Sequence, residues 1–318
     1  MVSFRYVFGP ALSKRFGFFL GINNIPHKMC SYSCVYCQLG KTTKYTIDRK
    51  PLSDVDRVIE EVKTILASDV NIDYVVFFPC GEPTLDRNIG CITEKLKSKF
   101  DIPVAIVTNA SLLWRDDVVA DLMAFDLVSI KVDAVTEETW RLINRPHREL
   151  DINRILQGVK HFAEIFRGEI VTETMLVRGL NTSEEELSRI AEFLRTLHPS
   201  RAYILAPTRP PSERWILPPR NKDLIKALNI FSAYFEKDEI SLLSVPEFSE
   251  FIVLDDPKKY FLSLVGVYPL RLEFATRILS KEYEDPQRAL RELIDMKLIR
   301  IISYGGKKFL IKRRDHTH

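Results

Sequence analysis

Met29-Cys30-Ser31-Tyr32-Ser33-Cys34-Val35-Tyr36-Cys37 carries three of the chain's five cysteines, spaced C-x3-C-x2-C. The other two, Cys80 and Cys91, lie far away in sequence. An odd total with this clustering is not the even, spread spacing of a secreted disulfide framework. Thiols gathered on one tight loop in a reducing compartment bind metal or a cluster. Three thiolates suit three irons of a cubane, which leaves the fourth iron without a nearby protein ligand and open to an outside chelator. A zinc site is the alternative. It wants four closed ligands, and His27 stands near enough in sequence to be the fourth.

The 318 residues around this loop suggest two domains, or one large domain with an appendage. Apolar residues at 46% and charged residues at 28% make an ordinary globular composition with material for a core. No apolar run approaches the roughly 18–20 residues that span a bilayer. Arg5, Lys14 and Arg15 interrupt the apolar N-terminus before a signal-peptide core forms. A cytoplasmic location with no membrane anchor is the expectation. A net charge of +3 excludes neither a nucleic-acid nor a small-molecule partner.

Short β-branched runs alternate with helical patterns, without internal repeats. Strands are expected at 17–22, 74–79, 104–108, 127–132, 170–177 and 202–206, with helices at 55–67, 90–99, 116–124, 137–143, 152–165 and 183–197. Alternation of this kind means βα units, right-handed crossovers and a parallel sheet, an α/β fold. Six units in about 200 residues suit a partial barrel better than a closed eight-stranded one. The pattern changes after Leu205. Pro207, Pro210, Pro211, Pro218 and Pro219 mark a connection, followed by one more helix at 223–235. Pro257 is the expected boundary between residues 1–256 and 257–318. Beyond it the chain reads helix, helix, helix and a hairpin turning at Gly305-Gly306, the order of a small C-terminal winged-helix domain.

The triplet, with Tyr36 directly before its last cysteine, resembles the radical S-adenosylmethionine (radical SAM) superfamily. The resemblance implies a partial (β/α)6 barrel whose cysteines, Cys30, Cys34 and Cys37, bind a 4Fe-4S cluster. It implies that the open iron binds the amino and carboxyl groups of S-adenosylmethionine, and that one electron from an external donor cleaves the sulfonium to give a 5′-deoxyadenosyl radical. The front segment Phe8-Gly9-Pro10-Ala11-Leu12-Ser13-Lys14-Arg15-Phe16-Gly17 and Cys37-Gln38-Leu39-Gly40 resemble one mostly archaeal subgroup, loosely related to the tRNA wybutosine-synthesis enzymes. The resemblance covers roughly residues 6–211.

Further motifs fall where that family places cofactor contacts. Gly81-Glu82-Pro83-Thr84 follows the second strand, where a backbone carbonyl and a carboxylate are suited to accept from the methionyl ammonium. Cys80 before it is a buried small residue or, less simply, a ligand or radical-active thiol. Alternation puts Ser129, Lys131 and Asp133 on one face of the fourth strand, and three polar residues there are costly unless they meet a polar ligand. A wet edge strand is the alternative. Glu173 alternates with Val171 and Met175, and is either a cofactor contact or a neutralised core carboxylate. Asn109, in Thr108-Asn109-Ala110, resembles the family's T-N-G segment and is equally suited to capping the next turn. Tyr36 is expected near the adenine.

Between Gln287 and Arg314 nine residues are basic and two acidic, Glu292 and Asp295. Charge concentrated on a third helix and wing is the footprint of a nucleic-acid surface. A second basic stretch, Lys41, Lys44, Arg49 and Lys50, follows the cysteine loop. RNA, in particular tRNA, is the expected partner, with modification of a base as the reaction. The same radical chemistry on a protein side chain or small molecule is the alternative enzyme, and a cluster-containing DNA-binding regulator the alternative outside catalysis.

Overall fold

The computed structural model describes residues 4–68, 70–243, 248–254 and 256–313. A nine-stranded sheet runs in the order β10-β9-β8-β7-β6-β5-β2-β1-β11. Its parallel body consists of β2 (Gly17–Ile22), β5 (Tyr74–Phe77), β6 (Val104–Thr108), β7 (Leu127–Lys131), β8 (Glu169–Met175), β9 (Arg201–Leu205) and β10 (Ile240–Leu243). β1 (Val7–Ser13) pairs antiparallel with β2, and β11 (Phe248–Phe251) antiparallel with β1. All six expected strands are present in parallel array. Three further strands went unread. Gly9-Pro10 interrupts the alternation of β1, where the register also shifts, and β10 and β11 are only four residues each.

Helices α1 (Val55–Leu66), α2 (Ile89–Lys99), α3 (Asp116–Leu122), α4 (Glu137–Asn144), α5 (Ile152–Ile165), α6 (Glu184–Arg195) and α7 (Asn221–Phe231) lie in the crossovers. Local chemistry sets their starts. Asp54, Asp151 and Ser183 each accept a first-turn backbone N–H, and α6 adds three glutamates to its positive end. The strands are buried on both faces: Val75 and Phe77 join the cluster under the helices, while Val76 faces the inner cluster.

The sheet must curl. β10 and β11 form its two edges, yet Leu243 and Phe248 are five residues apart and can be separated by at most about 18 Å. A flat nine-stranded sheet would hold its edges roughly 38 Å apart. The inner face is therefore enclosed, and Phe8, Phe19, Val76, Ala105, Val171 and Tyr203 pack there in one cluster.

That cluster continues into the C-terminal residues. α8 (Pro257–Val267) lies against β1, with Tyr260 donating its hydroxyl to the Pro10 carbonyl. β12 (Leu270–Arg271), α9 (Leu272–Leu279), α10 (Pro286–Asp295), β13 (Ile299–Tyr304) and β14 (Lys307–Lys312) follow, with a three-stranded antiparallel sheet ordered β12-β14-β13. Gly305 and Gly306 make the two-residue turn at φ of 55° and 73°, the left-handed pair that a tight hairpin requires. The three helices and the hairpin follow in the order expected from sequence, β12 between α8 and α9 was not expected, and Pro257 begins α8. The apolar core runs across that position. Among the described residues no helix is long and apolar enough to cross a membrane.

Candidate active site

The cysteine loop leaves β2 and is pinned by backbone. Met29–Cys30 (β3) pairs with Lys44–Tyr45 (β4), and the end of α4 braces the rest. Val35 donates its N–H to the Ile143 carbonyl at 2.9 Å, Ser33 to Asn144 at 3.0 Å, and His147 to Ser31 at 2.9 Å. Trp140 adds an indole N–H to the Tyr32 hydroxyl at 3.0 Å.

Each thiol has a nitrogen donor. Lys28 Nζ lies 3.1 Å from Cys37 Sγ, Asn144 Nδ2 3.5 Å from Cys34 Sγ, and Asn109 Nδ2 3.6 Å from Cys30 Sγ. Burial pushes the Cys30 thiol up to about 12 and the Cys34 thiol, with help from Asp133, up to about 11. Burial would lower Lys28, but the charges of Cys37 and Cys30 outweigh it and raise its pKa. A bare thiolate is therefore disfavoured at Cys30 and Cys34, and a bound cationic centre is what would ionise those two sulfurs. Three soft donors on one loop, each offered an N–H, fit an iron–sulfur cluster and its outer-shell hydrogen bonds. Among the described residues no three His, Cys, Asp or Glu side chains converge closely enough for a single metal ion. A cubane asks for no such convergence, because each thiolate takes its own iron.

Gly81 and Glu82 dock onto this loop. A Cβ on Gly81 would stand 2.0 Å from the Met29 carbonyl oxygen, so the close approach requires glycine. Glu82 donates its N–H to that carbonyl at 3.1 Å. Its buried carboxylate ties two strand ends together: Oε1 accepts from Thr108 Oγ1 at 2.6 Å, Thr84 Oγ1 at 2.7 Å and the Thr84 N–H at 3.1 Å, and Oε2 from the Asn109 N–H at 2.8 Å. Burial raises its pKa. Asn109 caps the turn as read for it, Oδ1 accepting the Ser111 N–H at 3.0 Å, and also turns Nδ2 to Cys30 Sγ.

Asp133 is the second node. It accepts from the Tyr36 hydroxyl, from Asn144 Nδ2 at 2.8 Å and from the Met175 N–H at 2.8 Å. Lys131 Nζ stands 3.7 Å from it and 5.1 Å over the Tyr36 ring. Tyr36, Lys131 and Asp133 are thus brought together beside Cys34, with the Tyr36 hydroxyl on the carboxylate and the ammonium over its ring.

Ser129 and Glu173 find partners within the chain. Ser129 donates to Glu173 at 2.6 Å, and the Arg15 guanidinium pairs with the same carboxylate oxygen. The Arg15 and Glu173 side chains are 3% and 4% exposed. The two residues form an interior ion-pair cluster, completed by a residue from the β1–β2 turn, which matches the core-carboxylate alternative read for Glu173. Burial works against the Glu173 carboxylate, but Arg15 and Lys131 outweigh it and lower its pKa.

Arg49 is a correction. It is buried and pairs with Asp117 at 2.9 Å and with Asp121, which removes it from the basic surface expected after the loop. Cys80 is a buried thiol donating to Asn23 Oδ1 at 3.2 Å, in keeping with the simpler reading of it. Lys28, Asn144 and Arg15 were missed. Asn144 and Arg15 meet the site only through the fold, and Lys28, although close to Cys30 in sequence, is an ordinary surface residue type.

Residues 24–194 match the family model described as the Radical SAM superfamily. A UPF0026 protein of Methanocaldococcus jannaschii is 42% identical over 96% of this chain and 95% of its own length. A UPF0026 protein of Helicobacter pylori is 30% identical over 95% and 96%. Among solved structures, a radical SAM methyltransferase from Sphaerobacter thermophilus is similar with a TM-score of 0.54 at 13% identity, covering 71% of this chain and 66% of that one. Streptococcus suis SuiB bound to S-adenosylmethionine gives 0.51 at 16%, covering 72% and 52%. At these identities the likeness is one of fold.

Proposed function

The chain belongs to the radical SAM superfamily, and from that premise we propose that it modifies a base of RNA, tRNA in particular. It is an enzyme of radical SAM chemistry, with S-adenosylmethionine and a 4Fe-4S cluster as cofactors and an external electron donor as partner. When bound, the two cofactors supply one-electron cleavage of a sulfonium and, from it, a carbon radical able to take hydrogen from substrate. Cys30, Cys34 and Cys37 would hold three irons, and Lys28, Asn109 and Asn144 would donate to their sulfurs. The Gly81–Glu82 backbone, Lys131 and Asp133 would hold the cofactor's amino, carboxyl and ribose groups, with Tyr36 near its adenine. In this reading residues 1–256 carry the chemistry, and residues 257–318, as a winged helix, hold the nucleic acid.

One observation carries the RNA assignment. Lys297, Arg300, Lys307, Lys308, Lys312 and Arg313 are exposed and make no ion pair among the described residues. Arg288 and Arg291 are partly answered by Glu292 and Asp285. Arg314 lies outside the described residues. The hairpin bearing most of this charge touches the strap that follows β9, Tyr304 donating its hydroxyl to Pro207 at 3.5 Å. Cations so near the strand ends suit a polyanion whose one base must reach the cofactor.

The test is fluorescence anisotropy with total tRNA at two salt concentrations. Binding is expected to fall with salt at a log–log slope of roughly −0.7 to −0.9 per phosphate contact. Changing Lys307, Lys308, Lys312, Arg313 and Arg314 to Gln should weaken it by roughly tenfold or more and flatten the slope. No binding by the wild type at low salt overturns the RNA reading and turns the search to proteins and small molecules.

A further inference from the structure

We propose that Ser212, on the strap between β9 and α7, is a positioning residue for S-adenosylmethionine: it holds the backbone that presents Tyr36, and so sets cofactor affinity without holding the cluster. The proposal rests on the placement of Tyr36 near the adenine given above. Residues 206–220 carry no helix or strand. A connection of that length without regular structure is uncommon in a compact domain and is usually functional. Pro207, Pro210, Pro211, Pro218 and Pro219 limit the freedom that the strap loses on ordering. Its two ends are tied as well, the Pro207 carbonyl to the Tyr304 hydroxyl, and the Pro218 carbonyl to Arg178 Nε at 2.9 Å.

Between those ends the strap grips the cysteine loop. The Ser212 hydroxyl lies 2.9 Å from both the Cys34 and the Val35 carbonyl oxygens, and the Glu213 N–H donates to the Val35 carbonyl at 3.1 Å. The N–H of the same valine is taken by the Ile143 carbonyl of α4. Val35 is thus clamped at both its backbone groups, by α4 at the N–H and by the strap at the carbonyl. Ile216, 1% exposed, packs in one cluster with Val35, Tyr36, Ile143 and Val177. The Glu213 carboxylate fastens the strap to Arg145 at 2.5 Å and to Lys41 at 3.3 Å.

What the strap touches separates its role from that of the groups around the sulfurs. Each thiol takes its donor from elsewhere: Cys37 from Lys28, Cys34 from Asn144 and Cys30 from Asn109. The strap reaches the loop through carbonyls, and through the Gln38 side chain, to which Arg209 donates at 2.9 Å. A hydroxyl has one proton, and here it is shared by two successive carbonyls. The Val35 carbonyl belongs to the peptide that leads into Tyr36, so Ser212 and Glu213 fix the tilt of that peptide. The other end of Tyr36 is held by its hydroxyl on Asp133. With the backbone end loosened, the ring keeps one anchor and spreads over more orientations. A contact group held in one orientation binds better than one that must be ordered at each encounter.

The experiment uses the reconstituted holoenzyme and measures S-adenosylmethionine binding by equilibrium dialysis, beside iron content. Ser212→Ala should weaken binding roughly three- to tenfold, the effect of one hydrogen bond, with iron content unchanged. Ser212→Thr, which keeps the hydroxyl, should restore the affinity. Glu213→Gln loosens the strap from Arg145 and Lys41 and keeps its N–H on Val35. It should weaken binding by a smaller factor, and it takes the place of the alanine variant if that variant does not fold. Tyr36→Leu is the reference and should weaken binding at least as much as Ser212→Ala. Unchanged affinity in Ser212→Ala, or in Glu213→Gln where it stands in, while Tyr36→Leu binds less tightly, overturns the positioning role alone. Unchanged affinity in Tyr36→Leu overturns the placement of Tyr36 near the adenine, and this role with it. Iron lost in parallel with affinity makes Ser212 a brace of the cluster loop and also overturns the proposal.

Discussion

Two polar groups occupy the inside and the mouth of this barrel, and they differ in how they are completed. Deep inside, Ser129 and Glu173 meet Arg15, so charge and hydrogen bonds are matched within the chain. At the mouth, Cys30, Cys34 and Cys37 receive donors from Asn109, Asn144 and Lys28, yet the donors converge on thiols that burial holds protonated at Cys30 and Cys34. The first group is finished as it stands. The second is arranged around sulfurs that want a cationic centre. Polar residues facing inward from a strand signal that something must answer them, and only the third dimension says whether the answer is another residue or a cofactor.

The sharpest way to break this contrast is to remove the sulfurs. Anaerobically reconstituted protein should carry about four irons. The Cys30→Ala/Cys34→Ala/Cys37→Ala variant should carry none, while Cys91→Ala, on the exposed face of α2, keeps them all. Iron and visible absorption measured on the purified proteins decide it, and a triple variant with full iron would remove the cluster from this loop.

The interior pair should respond in stability instead. Glu173→Gln takes the carboxylate charge away from the buried Arg15 guanidinium, a loss of about 3–5 kcal/mol, and Arg15→Met combined with Glu173→Leu should recover much of it. The pH profile follows in sign. Arg15 and Lys131 hold the folded carboxyl below its ordinary 4.5, so the stabilisation is present above that value and fades as pH falls through the lower folded one. The Gln variant should lack that component. Urea midpoints between neutral and acid pH read it out. Little loss of stability, with a marked loss of S-adenosylmethionine affinity, would return Glu173 to the cofactor site.

What the sequence made legible follows the same division. The six parallel strands and the loop were readable because their signals are local: runs of β-branched residues bounded by turns, and cysteines within one turn of chain. Gly81 was found by position, but its reason is contact with Met29, which no spacing encodes. Arg15 lies 158 residues from Glu173, and Asn144 110 residues from Cys34. Neither can be paired before the barrel closes. β1 was missed because Gly9-Pro10 breaks its period, and with it went the wall that carries Phe8. The basic stretch at residues 41–50 read as one surface, yet Arg49 turns inward to Asp117 and Asp121 because charge in sequence says nothing about which side of the loop faces water.

The smallest expected effect sharpens the account of the mouth itself. Lys28 is 3% exposed, holds a left-handed backbone at φ 53°, and places its ammonium 3.1 Å from Cys37 Sγ. A cation so close favours whichever cluster state is more negative, which is the reduced one. Lys28→Gln keeps a donor at similar reach and removes the charge. A charged hydrogen bond contributes about 1.5–3 kcal/mol. Only the part that differs between oxidation states counts, about 1–2 kcal/mol, or on the order of 40–90 mV for one electron. Iron content should stay near that of the wild type, while the midpoint potential in an anaerobic dye titration falls by that amount. A potential unmoved by the substitution would mean that Lys28 braces the loop through its backbone bond to Cys80 and has no electrostatic hold on the cluster.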